Sequence, residues 1–409
     1  MTKEISKSYA IYALIIIFFA NFFNYVDRFL VSAVLHRIDV DFGLSGFKEG
    51  FLWTAFTLGY MLSAPFIGYL SDRRSRTKIF AFCVFVWSLA TIASGLSAMF
   101  GSYALLVISR ILIGVGEAGC LIIGPPLIAD YFPAHIRGRM LSIFFLGLPL
   151  GSIGGYLLGG LVKENWPLAF YIGGAPGFII AILILLLYEP QRGQSEGAGS
   201  HSLPPANLKS YLEFFKTKTL LYIIFAQAAG TFTFIPLVHF GKIYLIEERK
   251  MGDNESAIIL GVAIFVGALG NIVGGWLGDK LYKKTKSAYS LLAAIGYLCG
   301  FAFTVLALLS PDEMIYIVTT LTAFFFFLAC MPLVNTQIAN VTSPEKRAVA
   351  FAITVFILHL LGDTISPIFF GVAKDHWGLQ KSFLAFTLPL LISGVLCFFA
   401  ARYAKSEAK

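Results

Sequence analysis

The sequence predicts an all-α membrane protein whose twelve transmembrane helices form two pseudo-symmetric six-helix bundles. Three observations predict this: twelve apolar runs of membrane-spanning length, a composition suited to lipid rather than water, and a loop motif that recurs half a chain later. Of 409 residues, 57% are hydrophobic and 13% charged. Soluble domains carry about 25% charged residues, because their surfaces must face water. A chain solvated by lipid is free of that requirement and exposes Leu, Phe and Ile around its waist.

About 20 apolar residues in helix cross a hydrocarbon core of about 30 Å. Runs of that kind lie at 9–34, 47–70, 79–98, 103–128, 138–161 and 167–188, then at 219–241, 255–278, 287–309, 313–335, 347–371 and 381–403. The first run continues to Val34 with no small-residue cleavage pattern, which reads as a retained helix rather than a signal peptide. The longest polar stretch, 189–217, begins Glu-Pro-Gln-Arg-Gly-Gln-Ser, and a helical piece is expected near Leu208 to Phe215. It divides the chain into an N-terminal bundle, 1–188, a linker, 189–217, and a C-terminal bundle, 218–409. Gly68-Tyr69-Leu70-Ser71-Asp72-Arg73 after span two recurs as Gly275-Trp276-Leu277-Gly278-Asp279-Lys280 after span eight. Parallel repeats of this kind are a common transporter architecture, with the solute site where the repeats meet.

The net charge is +8, but the basic residues lie in short clusters between spans, which marks orientation in a membrane and excludes nucleic acid as a partner. With the N-terminus inside, the segments on that side hold 21 of the 31 Lys and Arg residues, the opposite side holds 8, and Arg28 and Arg110 lie within spans. Both termini are therefore expected in the cytoplasm of a multi-pass inner (plasma) membrane protein. In this count Arg74 and Arg76 merely obey the charge bias, and Lys242 falls in an outer loop. The tail after Arg402 is expected to fray. Five cysteines, odd in number and all in apolar segments, indicate no disulfide framework.

An ionisable side chain at membrane depth costs several kcal/mol on most scales, so it faces a cavity, finds a partner and marks a solute or proton path. Six qualify: Asp27 and Arg28 in span one, Arg110 and Glu117 in span four, and His359 and Asp363 in span eleven. Arg110 and Glu117 are two helical turns apart and project from one face. Glu117 is thereby placed to load and release a proton, and Asp27 is a second candidate, with Arg28 or Arg110 as partner. The alternative is a permanently ionised structural pair holding spans one and four together. His359 and Asp363 are an i, i+4 pair able to hydrogen-bond or share a charge; the alternative is that they stabilise the contact between the halves or sit near the external end, where Asp363 is hydrated. Asp72 and Asp279, with Arg73, Lys280 and Arg137, are candidates for a cytoplasmic gate. Glycines 147, 151, 154, 155 and 159, with Pro149, give span five a face for close helix approach and a bend.

These residues carry a family pattern. The whole chain resembles the major facilitator superfamily and, within it, the Spinster lysolipid and sphingolipid transporters. Gly68 to Lys78 is similar to the superfamily loop signature, with Ser75 where Gly is usual. Arg110-Ile111-Leu112-Ile113-Gly114-Val115-Gly116-Glu117-Ala118 is similar to the span-four signature in its Spinster version. Asn24-Tyr25-Val26-Asp27-Arg28, Pro149-Leu150-Gly151-Ser152 and His359 to Pro367 resemble that family's spans one, five and eleven. The resemblance implies an alternating-access carrier of a lysophospholipid or related amphiphilic lipid anion. Protons are the implied coupling ion, on Asp27 and Glu117, while Arg28 and Arg110 contact them or an anionic head group. Asn24, Tyr60, His359 and Asp363 complete the candidate solute site, and a monomer in the lipid bilayer is expected, with no cofactor or metal. Phe22, Phe23, Tyr25, Phe56, Tyr60, Phe232, Phe234 and Phe356 would supply apolar walls suited to an amphiphile, the alternative being ordinary packing or lipid contact.

The competing transporter reading is uptake of a sugar acid or other organic acid, or export of hydrophobic drugs; Asn21, Gln227, Asn271, Asn335 and Gln337 would serve a more polar solute. A membrane enzyme would need a nucleophile with its base, or a metal cluster, and neither His-x-x-x-His, Gly-x-Ser-x-Gly nor a cysteine pair occurs. A receptor would need an output domain.

Overall fold

The computed structural model describes residues 6–162, 165–191, 217–342 and 347–407, and among these it is helical throughout, with no strand. Twelve segments are long and apolar enough to cross a membrane. The chain divides into two compact units, the first Met1–Leu44 with Phe51–Ser202, the second Ser45–Gly50 with Leu203–Lys409.

The first unit contains α1 (Lys7–Phe42), most of α2 (Gly46–Arg73), α3 (Arg76–Met99), α4 (Tyr103–Tyr131), α5 (Ala134–Phe145), α6 (Gly147–Leu161) and α7 (Trp166–Leu185). Their ends follow capping chemistry. Ser6, Ser75 and Ser102 accept from the backbone N–H groups of Tyr9, Lys78 and Leu105 at the starts of α1, α3 and α4. The α1 helix runs eight residues past the expected end and stops where Gly43, at φ +57°, donates to the Asp39 carbonyl. Ser75 has an ordinary extended backbone, φ −65° and ψ 118°, so the turn there needs no glycine, and the hydroxyl gains a cap.

Glycines let these helices touch backbone to backbone. A Cβ on Gly151 would stand 2.4 Å from the Phe22 carbonyl oxygen and one on Gly155 2.6 Å from that of Val26, so α6 lies directly on α1. On α4, a Cβ at Gly114 would meet the Phe56 carbonyl of α2 at 2.1 Å, and one at Gly116 the Cys83 carbonyl of α3 at 2.6 Å. The α4 helix is thus enclosed by α2 and α3 at the level of Glu117.

The second unit contains α8 (Lys218–Glu247), α9 (Asp253–Tyr282), α10 (Ala288–Leu309), α11 (Glu313–Val341), α12 (Arg347–Leu358), a π turn (His359–Asp363), α13 (Ser366–Trp377) and α14 (Leu379–Glu407). Here α9 approaches α11 through Gly270 and Gly274, whose added Cβ atoms would meet the Phe325 and Ala329 carbonyls at 2.1 and 2.3 Å. Both units therefore use one device at corresponding crossings.

Span five runs helical through Leu146, between α5 and α6, where the turn tightens and the Leu146 N–H donates to both the Ser142 and Ile143 carbonyls at 3.1 and 3.2 Å; span eleven, expected as one helix over 347–371, passes through the π turn. The cause is shared. Pro149 and Pro367 lack the N–H that the carbonyls of Phe145 and Asp363, four residues earlier, would accept. In the π turn the Thr364 N–H donates instead to the His359 carbonyl at 3.0 Å.

Two further expectations are corrected. Lys242 is no outer-loop cation: it sits inside α8, 2% exposed, with Nζ 2.5 Å from Asp253 Oδ1 at the start of α9. The tail does not fray at Arg402, because α14 continues to Glu407, whose carboxylate accepts from the N–H groups of Lys218 and Thr219 at 3.1 and 2.9 Å. That carboxylate sits on the positive end of the α8 dipole. Cys83, Cys120, Cys330 and Cys397 are buried packing residues, and Cys299 is partly buried. The expected helical piece near Leu208 lies outside the described residues.

Candidate functional site

Span one places Asn24, Tyr25, Asp27 and Arg28 within one turn of α1, and α4 presents Arg110 and Glu117 toward it. Arg28 donates through Nε and Nη2 to a single oxygen of Glu117, Oε2, at 3.0 and 2.8 Å. Glu117 is completely buried and the Arg28 side chain is 16% exposed. The second carboxylate oxygen, Oε1, has no hydrogen-bond partner among the described residues. Asn24 Nδ2 reaches the Glu117 backbone carbonyl at 3.5 Å, the limit of a hydrogen bond.

Asp27 and Arg110 are also completely buried, and neither the Asp27 oxygens nor the three Arg110 nitrogens hydrogen-bond a described residue. Thr91 lies beside Asp27 but donates its hydroxyl to the Trp87 carbonyl at 2.9 Å. Asp27 feels the charge of Arg110 more strongly than that of its neighbour Arg28, while Glu117 feels Arg28 first. The result is two acids and two bases in one buried pocket, formally neutral, with six of their donor or acceptor atoms left open among the described residues.

Aromatic rings hold the bases in place. Phe56 of α2 lies between them, its centroid 5.0 Å from the Arg28 guanidinium carbon and 5.1 Å from that of Arg110. Tyr25 and Tyr60 add further faces to Arg28 at 4.8 and 5.5 Å. One turn before Asn24 in sequence, Asn21 donates to the Phe144 carbonyl at 2.7 Å, tying α1 to the end of α5. Of the residues singled out in the sequence, Asn24, Asp27, Arg28, Tyr60, Arg110 and Glu117 therefore come together in the first unit.

His359 and Asp363 form a separate group in the second unit. The imidazole Nδ1 lies 3.0 and 2.8 Å from the two Asp363 oxygens, across the π turn, and Asp363 is 8% exposed. Gly362 between them packs on Thr231 of α8. Among the supposed wall residues, Phe56 is buried at the pocket, Phe234 stacks on Phe327 at 4.4 Å, and Phe356 is exposed. Glu49, in the first turn of α2 and grouped with the second unit, is fully buried with Oε2 2.5 Å from Lys374 Nζ.

Of the candidate gate residues, Arg73 stacks on Tyr69 at 4.0 Å, Asp279 accepts from the Tyr289 hydroxyl at 2.7 Å, and Lys280 lies over Trp276 at 5.0 Å. The side chains of Asp72 and Arg137 lie outside the described residues. The residue the charge count missed is Arg76. It is 6% exposed, pairs with Asp130 at 2.5 Å and Glu189 at 3.1 Å, and donates to the Pro190 carbonyl at 2.9 Å. Glu189 also accepts from the Ser75 hydroxyl at 2.6 Å and the Arg76 N–H at 3.0 Å. Burial pushes the Glu189 carboxyl up, but these bonds and the Arg76 charge outweigh it and hold the group below the ordinary glutamate range. The signal was a lone acid, Glu189, just past span six; a charge count weighs cations only.

The family model for the Major Facilitator Superfamily matches residues 17–367. Protein spinster homolog 1 of Xenopus tropicalis is 30% identical over 422 residues, covering 97% of this chain and 79% of the relative. Its human counterpart is 32% identical over 416 residues, covering 93% and 76%. The chain belongs to the Spinster proteins of the Major Facilitator Superfamily. It is a transporter, not an enzyme. Another relative of this Spinster protein is the sphingosine-1-phosphate transporter of Danio rerio, 30% identical over 388 residues, covering 90% of this chain and 76% of the relative. Among solved structures, a bacterial homologue of the human lysosomal transporter Spinster, inward-facing and unoccupied, superposes with a TM-score of 0.91 at 24% identity and 99% coverage of both chains. A D-xylose–proton symporter shares the fold at a TM-score of 0.76 and 17% identity, covering 99% of this chain and 98% of that one.

Proposed function

We propose that this Spinster protein is a proton-coupled carrier of a lysophospholipid or related amphiphilic lipid anion, working by alternating access of its two six-span halves, 1–188 and 218–409, joined by 189–217. The observation that carries the reading is Glu117, fully buried, with one oxygen held by Arg28 and the other open. A proton arriving at Glu117 neutralises the partner of Arg28. The guanidinium, already framed by Tyr25, Phe56 and Tyr60, is then released to a solute phosphate. Asp27 and Arg110 form the second acid–base couple, so the four groups are neutral with both acids ionised and carry one positive charge when either acid holds the proton, a charge that an anionic solute balances. A dry pocket with an unbalanced charge costs several kcal/mol, which links solute arrival to proton movement.

The amphiphilic class is supported by aromatic rings rather than amides around the cations, and by the sphingosine-1-phosphate specificity in the name of one relative. The charge bias supports cytoplasmic termini, and the proposed setting is the plasma membrane. His359 and Asp363 serve as a second charge pair in the half opposite to Glu117, and the repeated loops at Asp72–Arg73 and Asp279–Lys280, with Arg137, act as the cytoplasmic gate. The carrier works as a monomer.

The test is uptake into proteoliposomes under an imposed pH gradient, with labelled lysophosphatidylethanolamine beside a labelled sugar acid. Gradient-driven lysolipid movement is expected. Sugar-acid movement alone overturns the lipid reading and leaves the organic-acid alternative.

A further inference from the structure

We infer that the outer surface of the second unit holds one resident anionic phospholipid, its acyl chain in a groove between α8, the π turn and α14, and its phosphate on Lys218. The groove is concave, with a volume of about 810 Å³. Its small-residue floor includes Ala229, and its walls include Phe225 and Phe232 of α8, Leu361 of the π turn and Ile392 of α14. Phe225, Leu361 and Ile392 are 44%, 39% and 53% exposed, so the groove is open to the surroundings.

Among the described residues that line it, Lys218 is the single charged one, and it lies at one end. From Lys218 to Phe232 the helix rises about 21 Å, more than half of a hydrocarbon core of about 30 Å. A groove that starts at a cation and runs apolar to mid-membrane depth has the dimensions of one phospholipid in one leaflet. The charged end is built as an interfacial site. Lys218 Nζ lies 4.9 Å from the Tyr403 ring centroid, Tyr222 stacks on Phe399 and Tyr403 at 5.9 and 6.0 Å, and the Arg402 guanidinium covers Phe399 at 5.5 Å. Aromatic rings and basic side chains in this order are what the head-group layer selects.

Charge complementarity fixes the head group. Among the described residues, the charged groups whose contacts place them at this end are Lys218, Arg402 and Glu407; the Glu407 carboxylate is engaged by two backbone N–H groups of α8, and the Arg402 guanidinium lies over Phe398 and Phe399. The Lys218 ammonium, which lines the groove, is the cation that meets a phosphate, and an anionic lipid satisfies it where a zwitterionic one brings its own cation. This site is independent of the Glu117 pocket and of the solute assigned there.

The test is lipid-selective quenching of a tryptophan introduced as Ile392→Trp, measured against the parent, which has five tryptophans. The protein is placed in phosphatidylcholine vesicles containing a minor fraction of either brominated phosphatidylglycerol or brominated phosphatidylcholine. At equal mole fraction phosphatidylglycerol is expected to associate about fivefold more strongly, the preference one basic side chain gives near an anionic leaflet. Lys218→Gln, at an exposed site, brings the two lipids together, and Ala229→Phe, which fills the floor, lowers quenching by both. Equal quenching in the Ile392→Trp protein, a preference that survives Lys218→Gln, or quenching unmoved by Ala229→Phe overturns the site.

Discussion

Replacing Arg76 by Met keeps the stem of the side chain and removes the group that joins α3, the end of α4 and the segment after α7. The guanidinium now faces Asp130 and Glu189, whose side chains are 12% and 24% exposed, and it donates to the Pro190 carbonyl as well. Breaking a buried ion pair by removing one partner costs about 3–5 kcal/mol, against at most about 1 kcal/mol for an exposed pair. The acids left behind are partly reached by water, so the loss should be about 3 kcal/mol. At about 2–4 °C per kcal/mol for a unit of this size, the unfolding midpoint should fall by about 6–12 °C. The assay is built into the protein: Cys83 and Cys120 are buried in the same unit, so a thiol-reactive dye reports its unfolding on heating. Arg76→Lys should recover less than half of the loss, because one ammonium has no planar fork to reach three acceptors. An Arg76→Met midpoint within about 2 °C of the parent would refute the reasoning, since that is the range of an exposed pair.

Other outcomes follow from the same geometry. Glu189 is held below its ordinary range in the folded state, so it contributes stability above the unfolded glutamate value of about 4.3 that is lost as pH falls through its lower folded value. Dye-monitored midpoints should therefore drop with acid in the parent more steeply than in Glu189→Gln. Gly114→Ala forces a Cβ to within 2.1 Å of the Phe56 carbonyl and should cost about 1–3 kcal/mol with loss of transport. Gly68→Ala, whose Cβ meets nothing nearer than 3.9 Å, should be neutral or stabilising by up to about 1 kcal/mol, and midpoints of the two variants compare them directly. Glu407→Ala should speed hydrogen exchange at Lys218 and Thr219 by about fivefold, for a cap worth about 1 kcal/mol, while leaving exchange in α3 unchanged.

The span count was legible because bilayer thickness imposes a length that apolar runs record directly. The charges within spans were legible for the same reason, being expensive there. Their pairing was not. Asp27 and Arg28 adjoin in sequence, yet successive helical residues point about 100° apart, so Arg28 turns to Glu117 while Asp27 is left with Arg110 as its stronger charge partner. Only the enclosure of α4 by α2 and α3, through Gly114 and Gly116, decides which side each sees. The irregular turns in spans five and eleven were written in Pro149 and Pro367, but whether a proline tightens, breaks or widens a helix depends on which neighbours take up the orphaned carbonyl. Arg76 and Lys242 were hidden because a count of cations treats every polar segment as solvated. One lies under Glu189 and the other inside α8.

The central claim is that the Glu117 carboxyl exchanges a proton against solute. Counterflow of labelled lysophosphatidylethanolamine between proteoliposomes at equal pH needs solute binding and access change but no net proton movement, whereas uphill uptake needs the proton. Glu117→Gln is expected to keep counterflow and lose pH-gradient-driven accumulation. Accumulation that persists in Glu117→Gln would contradict the account.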